Sequence, residues 1–218
     1  MGKSLLIVLT SHDKLTEDVP TGMWLSEFAE PYEVFLEAGL RVTVASIRGG
    51  EAPIDPRSLN EETAAKWEKA IAAAKQTAPI DEMDAGDYDG IFMPGGHGTM
   101  FDLPDNRTLQ TLIARFAESG KVVGAVCHGP AALVNVRLSD GTPLVRGRKL
   151  TAFTNEEERA TGLDRYMPFL LEDKLREAGA EFVALPKWSD HIETDGKLVT
   201  GQNPQSGISI ARELVKLL

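Results

Sequence analysis

Short apolar runs of strand character alternate with helix-type segments along most of this 218-residue chain, and that rhythm constrains its fold more than any other feature. Residues 5–9, 42–46, 91–93 and 122–126 are rich in β-branched and other apolar side chains and read as strands. Residues 24–38, 107–119 and 208–218 read as helices, with Gly39 and Gly120 stopping the first two. Pro31 should mark a kink, or a boundary between two shorter helices. Further on, 150–153, 182–184 and 197–200 read as late strands, and 167–178 as a helix stopped by Gly179. Such alternation argues for an α/β fold whose mostly parallel sheet is covered by helices on both faces, with ligands at the carboxyl ends of the strands. Residues 51–80 break the rhythm: Pro53, Asp55 and Pro56 make a turn and 61–75 an alanine-rich charged helix. We read this as a small helical insertion, walling a site or facing a partner, within one domain spanning 1–218.

Composition narrows the function. With 42% hydrophobic and 26% charged residues the chain can bury a full core, and no tract is polar enough to stay disordered. The 33 acidic against 23 basic residues give a net charge of -10, which opposes phosphate neutralisation, so no nucleic-acid partner is expected. The apolar run at 5–9 is too short for a membrane span or a signal segment, so no membrane association is expected. Cys127 is the only cysteine, which permits no internal disulfide and makes a reducing cytoplasm the expected compartment.

Val122-Val123-Gly124-Ala125-Val126-Cys127-His128-Gly129-Pro130 brings a strand-type run onto that cysteine, with a histidine, a glycine and a helix-type segment after it. Alone, Cys127 could be a small buried apolar residue. In this setting it reads as a nucleophile on a sharp strand-to-helix turn, where a helix start should ease ionisation of the thiol. The second glycine-rich turn, Pro94-Gly95-Gly96-His97-Gly98, comes after another strand. Alone, it could be only a tight turn, since glycine permits positive φ and close packing; in an α/β fold the same run can offer backbone N–H groups to a developing oxyanion, those of Gly96 and His128 being the natural pair, and the geometry must decide. It is no phosphate loop, and no dinucleotide fingerprint follows the first strand. His12, His97, His128 and His191 lack the paired spacing of metal ligands, so no metal is expected. Trp24, Trp67 and Trp188 are too dispersed for a stacking platform and suit core and pocket-wall roles.

Together with Asp195-Gly196-Lys197-Leu198-Val199-Thr200-Gly201-Gln202-Asn203-Pro204, these motifs resemble the ThiJ/PfpI superfamily. Thr21-Gly22-Met23-Trp24-Leu25-Ser26-Glu27, Glu30-Pro31-Tyr32, Ala52-Pro53-Ile54-Asp55-Pro56 and Phe153-Thr154-Asn155-Glu156-Glu157-Glu158 resemble its heat-shock chaperone and glyoxalase III branch. The resemblance implies a flavodoxin-like three-layer sandwich, related to class I glutamine amidotransferases, with a nucleophile elbow at Cys127. It implies that Glu27 leans over the thiol and shares a proton with it. His128 would be the general acid or base, oriented by Glu158, with Glu157 as the alternative. Gly95, Gly96, His97 and Trp24 would bind substrate or the oxyanion. It further implies a homodimer and a cofactor-free, glutathione-independent conversion of a small dicarbonyl such as methylglyoxal to lactate. Repair of glycated side chains or holdase chaperoning would use the same thiol or the dimer surface.

Two other readings remain open at this point. Amide hydrolysis, amidotransferase-like or protease-type, keeps the nucleophile, and His191-Ile192-Glu193 mimics the His-x-Glu pair of an amidotransferase triad, although Ala131 replaces the usual glutamine four residues after the nucleophile. A non-enzymatic stress protein would use Cys127 to sense oxidants, or its surface to hold unfolded clients.

Overall fold

The computed structural model describes residues 2–218. In chain order its strands are β1 (Ser4–Leu9), β2 (Lys14–Thr16), β3 (Val19–Pro20), β4 (Arg41–Ser46), β5 (Ala78–Pro79), β6 (Gly90–Met93), β7 (Val122–Val126), β8 (Lys149–Leu150), β9 (Glu181–Phe182), β10 (Ile192–Asp195) and β11 (Leu198–Gly201). The helices are α1 (Leu25–Glu37), α2 (Glu61–Lys66), α3 (Glu68–Ala74), α4 (Thr99–Asp102), α5 (Arg107–Glu118), α6 (Asn155–Thr161), α7 (Leu171–Glu177) and α8 (Gly207–Leu217).

Seven strands form one sheet in the order β10-β11-β7-β6-β1-β4-β5, parallel throughout except for β10 against β11. Every residue of β1 is buried, as a central parallel strand requires. Alternate side chains enter opposite layers: Leu6 and Val8 join Leu109, Ile113 and Phe116 of α5, while Leu5, Ile7 and Leu9 join Phe28 and Phe35 of α1 and Ile210 and Leu214 of α8. The result is an α/β/α sandwich. Gly124 lets α8 lie close on β7, since a β-carbon there would meet the Leu214 side chain at 2.7 Å. Strand order reverses between β1 and β6, and the loops after β6 and β7 open at that edge.

Several boundaries depart from the sequence reading. Helix α1 runs through Pro31 without a break in its span. The 61–75 helix is two helices parted at Trp67, whose indole is buried in the core beside α1. Residues 51–80 also supply an edge strand, β5, so the segment belongs to the sheet. The helix placed at 167–178 begins only at Leu171, because Pro168 forces Met167 into an extended conformation (φ -75°, ψ 138°). Of the strands placed at 150–153 and 182–184, only β8 and β9 form, pairing with each other outside the main sheet. The antiparallel strand β10 was not expected. Among the described residues, no helix is long and apolar enough to cross a membrane.

Candidate active site

Cys127 comes directly after β7 and holds φ at +60°, a left-handed conformation that costs a non-glycine residue energy. Bonds on both sides impose it: the Cys127 N–H donates to the Gly201 carbonyl, and its own carbonyl accepts from the Phe153 N–H, each at 2.9 Å. Gly129 must be glycine, since a β-carbon there would lie 2.1 Å from the Met93 carbonyl oxygen. Residues Gly129–Leu133 form a 3-10 turn and not an α-helix. The expected helix-start stabilisation of a thiolate is therefore absent. Burial instead pushes the Cys127 thiol well above its ordinary range, and the charge of Glu27 pushes it further.

Glu27 lies in the first turn of α1 and is fully buried. Its Oε2 accepts from the Gly95 N–H at 2.8 Å, while Oε1 has no nitrogen or oxygen partner among the described residues. Burial pushes its carboxyl up to about 8, against the lowering effect of hydrogen bonds from Cys127 and Gly95. Glu27 therefore carries a proton at neutral pH, and the two groups share a single charge when the first proton leaves. Gly95 was expected at the oxyanion, but its N–H is committed to this carboxyl. A β-carbon on Gly95 would sit 2.6 Å from Glu27 Oε2, so the contact needs glycine.

His128 Nδ1 is 3.4 Å from the Cys127 sulfur, and its Nε2 is 2.6 Å from Glu158 Oε2. The other oxygen, Glu158 Oε1, lies 2.8 Å from His97 Nε2. Burial pushes the Glu158 carboxyl up, but the charge of and hydrogen bond from His128, followed by those of His97, outweigh it and hold the group well below the usual carboxylate range. An ionised Glu158 accepts N–H from both rings, which leaves the Nδ1 lone pair of His128 turned to the thiol. His97 was expected to bind substrate; it lines the cleft, yet its Nε2 is bound to Glu158 and only Nδ1 is unpartnered. Burial, then the His128 charge, lowers the His97 pKa.

The three consecutive glutamates have three different environments. Glu156 is exposed and pairs with Lys187 at 3.5 Å. Glu157, the alternative partner for His128, instead caps α6 through Thr154 and accepts from the Trp188 N–H, Gln202 Nε2 and Asn203 Nδ2. It ties the loop before β10 to the start of α6 and does not meet His128.

Cys127 and His128 line a cleft of about 560 Å³, walled by Trp24, Gly96, His97, Phe153 and Trp188. The sequence did not single out Phe153 by itself; its ring packs 4.4 Å from that of His128 and 5.8 Å from that of Trp188. Gly96 adopts φ +105°, and neither its N–H nor that of His128 donates to an acceptor among the described residues. Both thus remain available for an oxyanion. A larger cavity of about 630 Å³, near Arg137, Arg146 and Lys174, contains none of these groups. His191 pairs with Glu193 at 3.1 Å and borders a separate cavity, so the His-x-Glu pair of the amidotransferase reading does not reach the nucleophile's cleft. His97, His128 and Glu158 place ligand-type atoms within 4.8 Å of one another and could hold a metal ion. No sequence spacing announced this cluster, whose Nε2 atoms are already bound to the carboxylate between them.

The raised Glu27 pKa sets a sign for stability. Folding binds this proton more tightly, so its stabilising contribution is complete below about pH 4.5 and is lost as pH rises through about 8. The Tm of wild type should fall across that window relative to Glu27→Gln, at roughly 2–4 °C for each kcal/mol lost. Scanning calorimetry at pH 5 and pH 8.5 checks this; a gap that does not change with pH would mean Glu27 is ionised throughout.

A model of the DJ-1/PfpI family matches residues 19–217. Glutathione-independent glyoxalase hsp3101 of Schizosaccharomyces pombe is 35% identical over 235 residues, covering 99% of this chain and 96% of the relative. Glyoxalase 3 of Candida albicans is 32% identical over 228 residues, covering 97% and 96%. The solved structure of glyoxalase III from Candida albicans superposes with a TM-score of 0.91 at 31% identity, covering 99% of this chain and 97% of that one.

Proposed function

This chain belongs to the DJ-1/PfpI family, and from that premise we propose that it is a glutathione-independent glyoxalase converting methylglyoxal to lactate through Cys127. One observation carries the mechanism: the lone thiol lies between a fully buried carboxyl and an imidazole nitrogen 3.4 Å away whose far side is held on a carboxylate.

His128 Nδ1 takes the thiol proton, and the imidazolium is stabilised by Glu158. The sulfur adds to the aldehyde carbon; the oxygen, facing the N–H groups of Gly96 and His128, takes the proton of Glu27 or of the His128 imidazolium to give a hemithioacetal. Whichever group gave up that proton is then free to act as the base: it removes the hydrogen from that carbon to give an enediol, and returns it to the neighbouring carbon. The product is a thioester of lactate. Water cleaves it, releasing lactate and restoring the thiol, so the net change is addition of one water with no redox partner. Glu27 suits the carbon-to-carbon transfer because its pKa of about 8 lets it both give and take a proton near neutrality. Trp24, Phe153 and Trp188 supply apolar walls for the methyl group. We assign the protein to the reducing cytoplasm, where a lone thiol stays reduced, and to a homodimer, the assembly the family resemblance implies.

Purified protein incubated with methylglyoxal in the absence of glutathione should accumulate lactate in proportion to enzyme. Consumption of the aldehyde that saturates at one equivalent per thiol, with no lactate, would overturn the reading in favour of a merely reactive cysteine.

A further inference from the structure

The first turn of the 51–80 segment has no part in the mechanism above, yet it is bonded to the elements that carry it. The Met23 N–H donates to the Pro53 carbonyl and the Asp55 N–H to the Met23 carbonyl, each at 2.9 Å. One layer further in, the Trp24 N–H donates to the Gly95 carbonyl at 3.1 Å and the Gly98 N–H to the Gly22 carbonyl at 3.3 Å. Residues 21–24 are thus held between the turn and the glycine loop. There is no slack in this stack: a β-carbon on Gly22 would sit 2.3 Å from the Pro53 oxygen, and one on Gly96 2.4 Å from the Gly22 oxygen.

Helix α1 starts without a side-chain cap of its own, since Trp24 occupies the N-cap. Its first N–H, on Leu25, donates to Ser58 Oγ at 3.0 Å. The Ser58 hydroxyl proton goes to the Asp55 carbonyl at 2.8 Å, which turns an oxygen lone pair onto Leu25. Asp55 is itself fully buried and accepts from the Arg57 N–H at 2.9 Å, Arg57 Nε at 2.8 Å and Thr21 Oγ1 at 3.0 Å. Burial alone would raise its pKa, but these bonds and the Arg57 charge lower it, so the pair stays ionised.

We propose that the Pro53–Ser58 turn is a positioning clamp for the proton-sharing pair: Ser58 caps, from outside the helix, the end of α1 that carries Glu27, and the Asp55–Arg57 pair fixes Ser58 there. Glu27 is two residues beyond the capped N–H, so a shift of the helix start moves its carboxyl relative to the Cys127 sulfur. The clamp rests on Glu27 and Cys127 being the reacting pair of the proposed glyoxalase, but its test does not require turnover.

Because Cys127 is the only cysteine, the rate of iodoacetamide alkylation against pH reads this pair alone. In Ser58→Ala the displaced carboxyl presses less on the sulfur, which weakens one of the two effects that hold thiol ionisation up. The alkylation inflection should move to lower pH by about half a unit or more, and kcat for methylglyoxal should fall about tenfold with KM within about twofold, because the proton-carrying carboxyl is out of place. Loss of one cap should lower Tm by only about 2–4 °C. Ser58→Thr, which keeps the hydroxyl, should restore the wild-type profile. An alkylation profile in folded Ser58→Ala that superposes on wild type overturns the clamp, whatever happens to turnover. Should wild type form no lactate, the glyoxalase reading falls while the alkylation comparison still decides this one. If Ser58→Ala does not fold, Arg57→Met makes the same comparison at a side chain that is 37% exposed.

Discussion

Cys127→Ala should reduce lactate formation from methylglyoxal by at least about a thousandfold in kcat/KM, because no other side chain in the cleft is a comparable nucleophile at neutral pH. The loss should be chemical and not structural. Cysteine and alanine meet the same penalty at φ +60°, and the bonds from Gly201 and Phe153 that enforce it are made by the backbone. The missing sulfur leaves a small void in a site that is already 3% exposed, so Tm should remain within a few degrees of wild type. Lactate measured enzymatically, beside a calorimetric scan, makes the comparison. Turnover that survives the substitution would remove the thiol from the mechanism, and with it the roles given to Glu27 and His128.

The second large effect separates two adjacent glutamates. Glu158→Gln should lower kcat by about 10²–10⁴-fold. An amide in place of the carboxylate no longer accepts from both rings at once, the His128 tautomer that turns its Nδ1 lone pair to the sulfur loses its support, and the imidazolium loses its counter-charge. Glu157→Gln should instead act on stability. Its carboxylate gathers bonds from Thr154 N–H, Thr154 Oγ1, Trp188 N–H, Gln202 and Asn203, all but the Trp188 bond in buried surroundings. An amide presents N–H to some of those donors. A loss of about 3 kcal/mol would lower Tm by roughly 6–12 °C, with kcat of the folded enzyme within about threefold of wild type. Single-turnover kinetics and thermal scans of the two variants side by side provide the test. The opposite pattern, with kcat lost at 157 and stability lost at 158, would reverse the assignment.

The alternating architecture was legible because local patterning and glycine stops report it directly. Gly39 and Gly120 do adopt positive φ just after α1 and α5. Elements whose length depends on a neighbour were not legible. The run at 150–153 has the composition of a strand, but beyond Leu150 its backbone is used elsewhere: Thr151 N–H bonds Thr200 Oγ1 and Phe153 N–H bonds Cys127. Strand β10 is short, with three polar residues of four, and becomes a strand only because β11 lies beside it. In the site, Cys127 and His128 adjoin in the chain and were found together, and Glu27 was reached through the family resemblance.

The sequence by itself determined the alternation of the main sheet strands with the long helices, the turn that presents the thiol, and the residue types that could react there, since each depends on neighbours within a few positions. Tertiary structure alone decided which glutamate faces His128. Consecutive residues on a helix point about 100° apart, so only the docking of α6 could bury Glu157 against one loop and aim Glu158 at two histidines. It also decided the ionisation of the thiol. Helix-start logic pointed to an easily ionised cysteine, but desolvation by burial and the neighbouring buried carboxyl reversed the direction, and burial is a property of the whole fold that no local stretch carries.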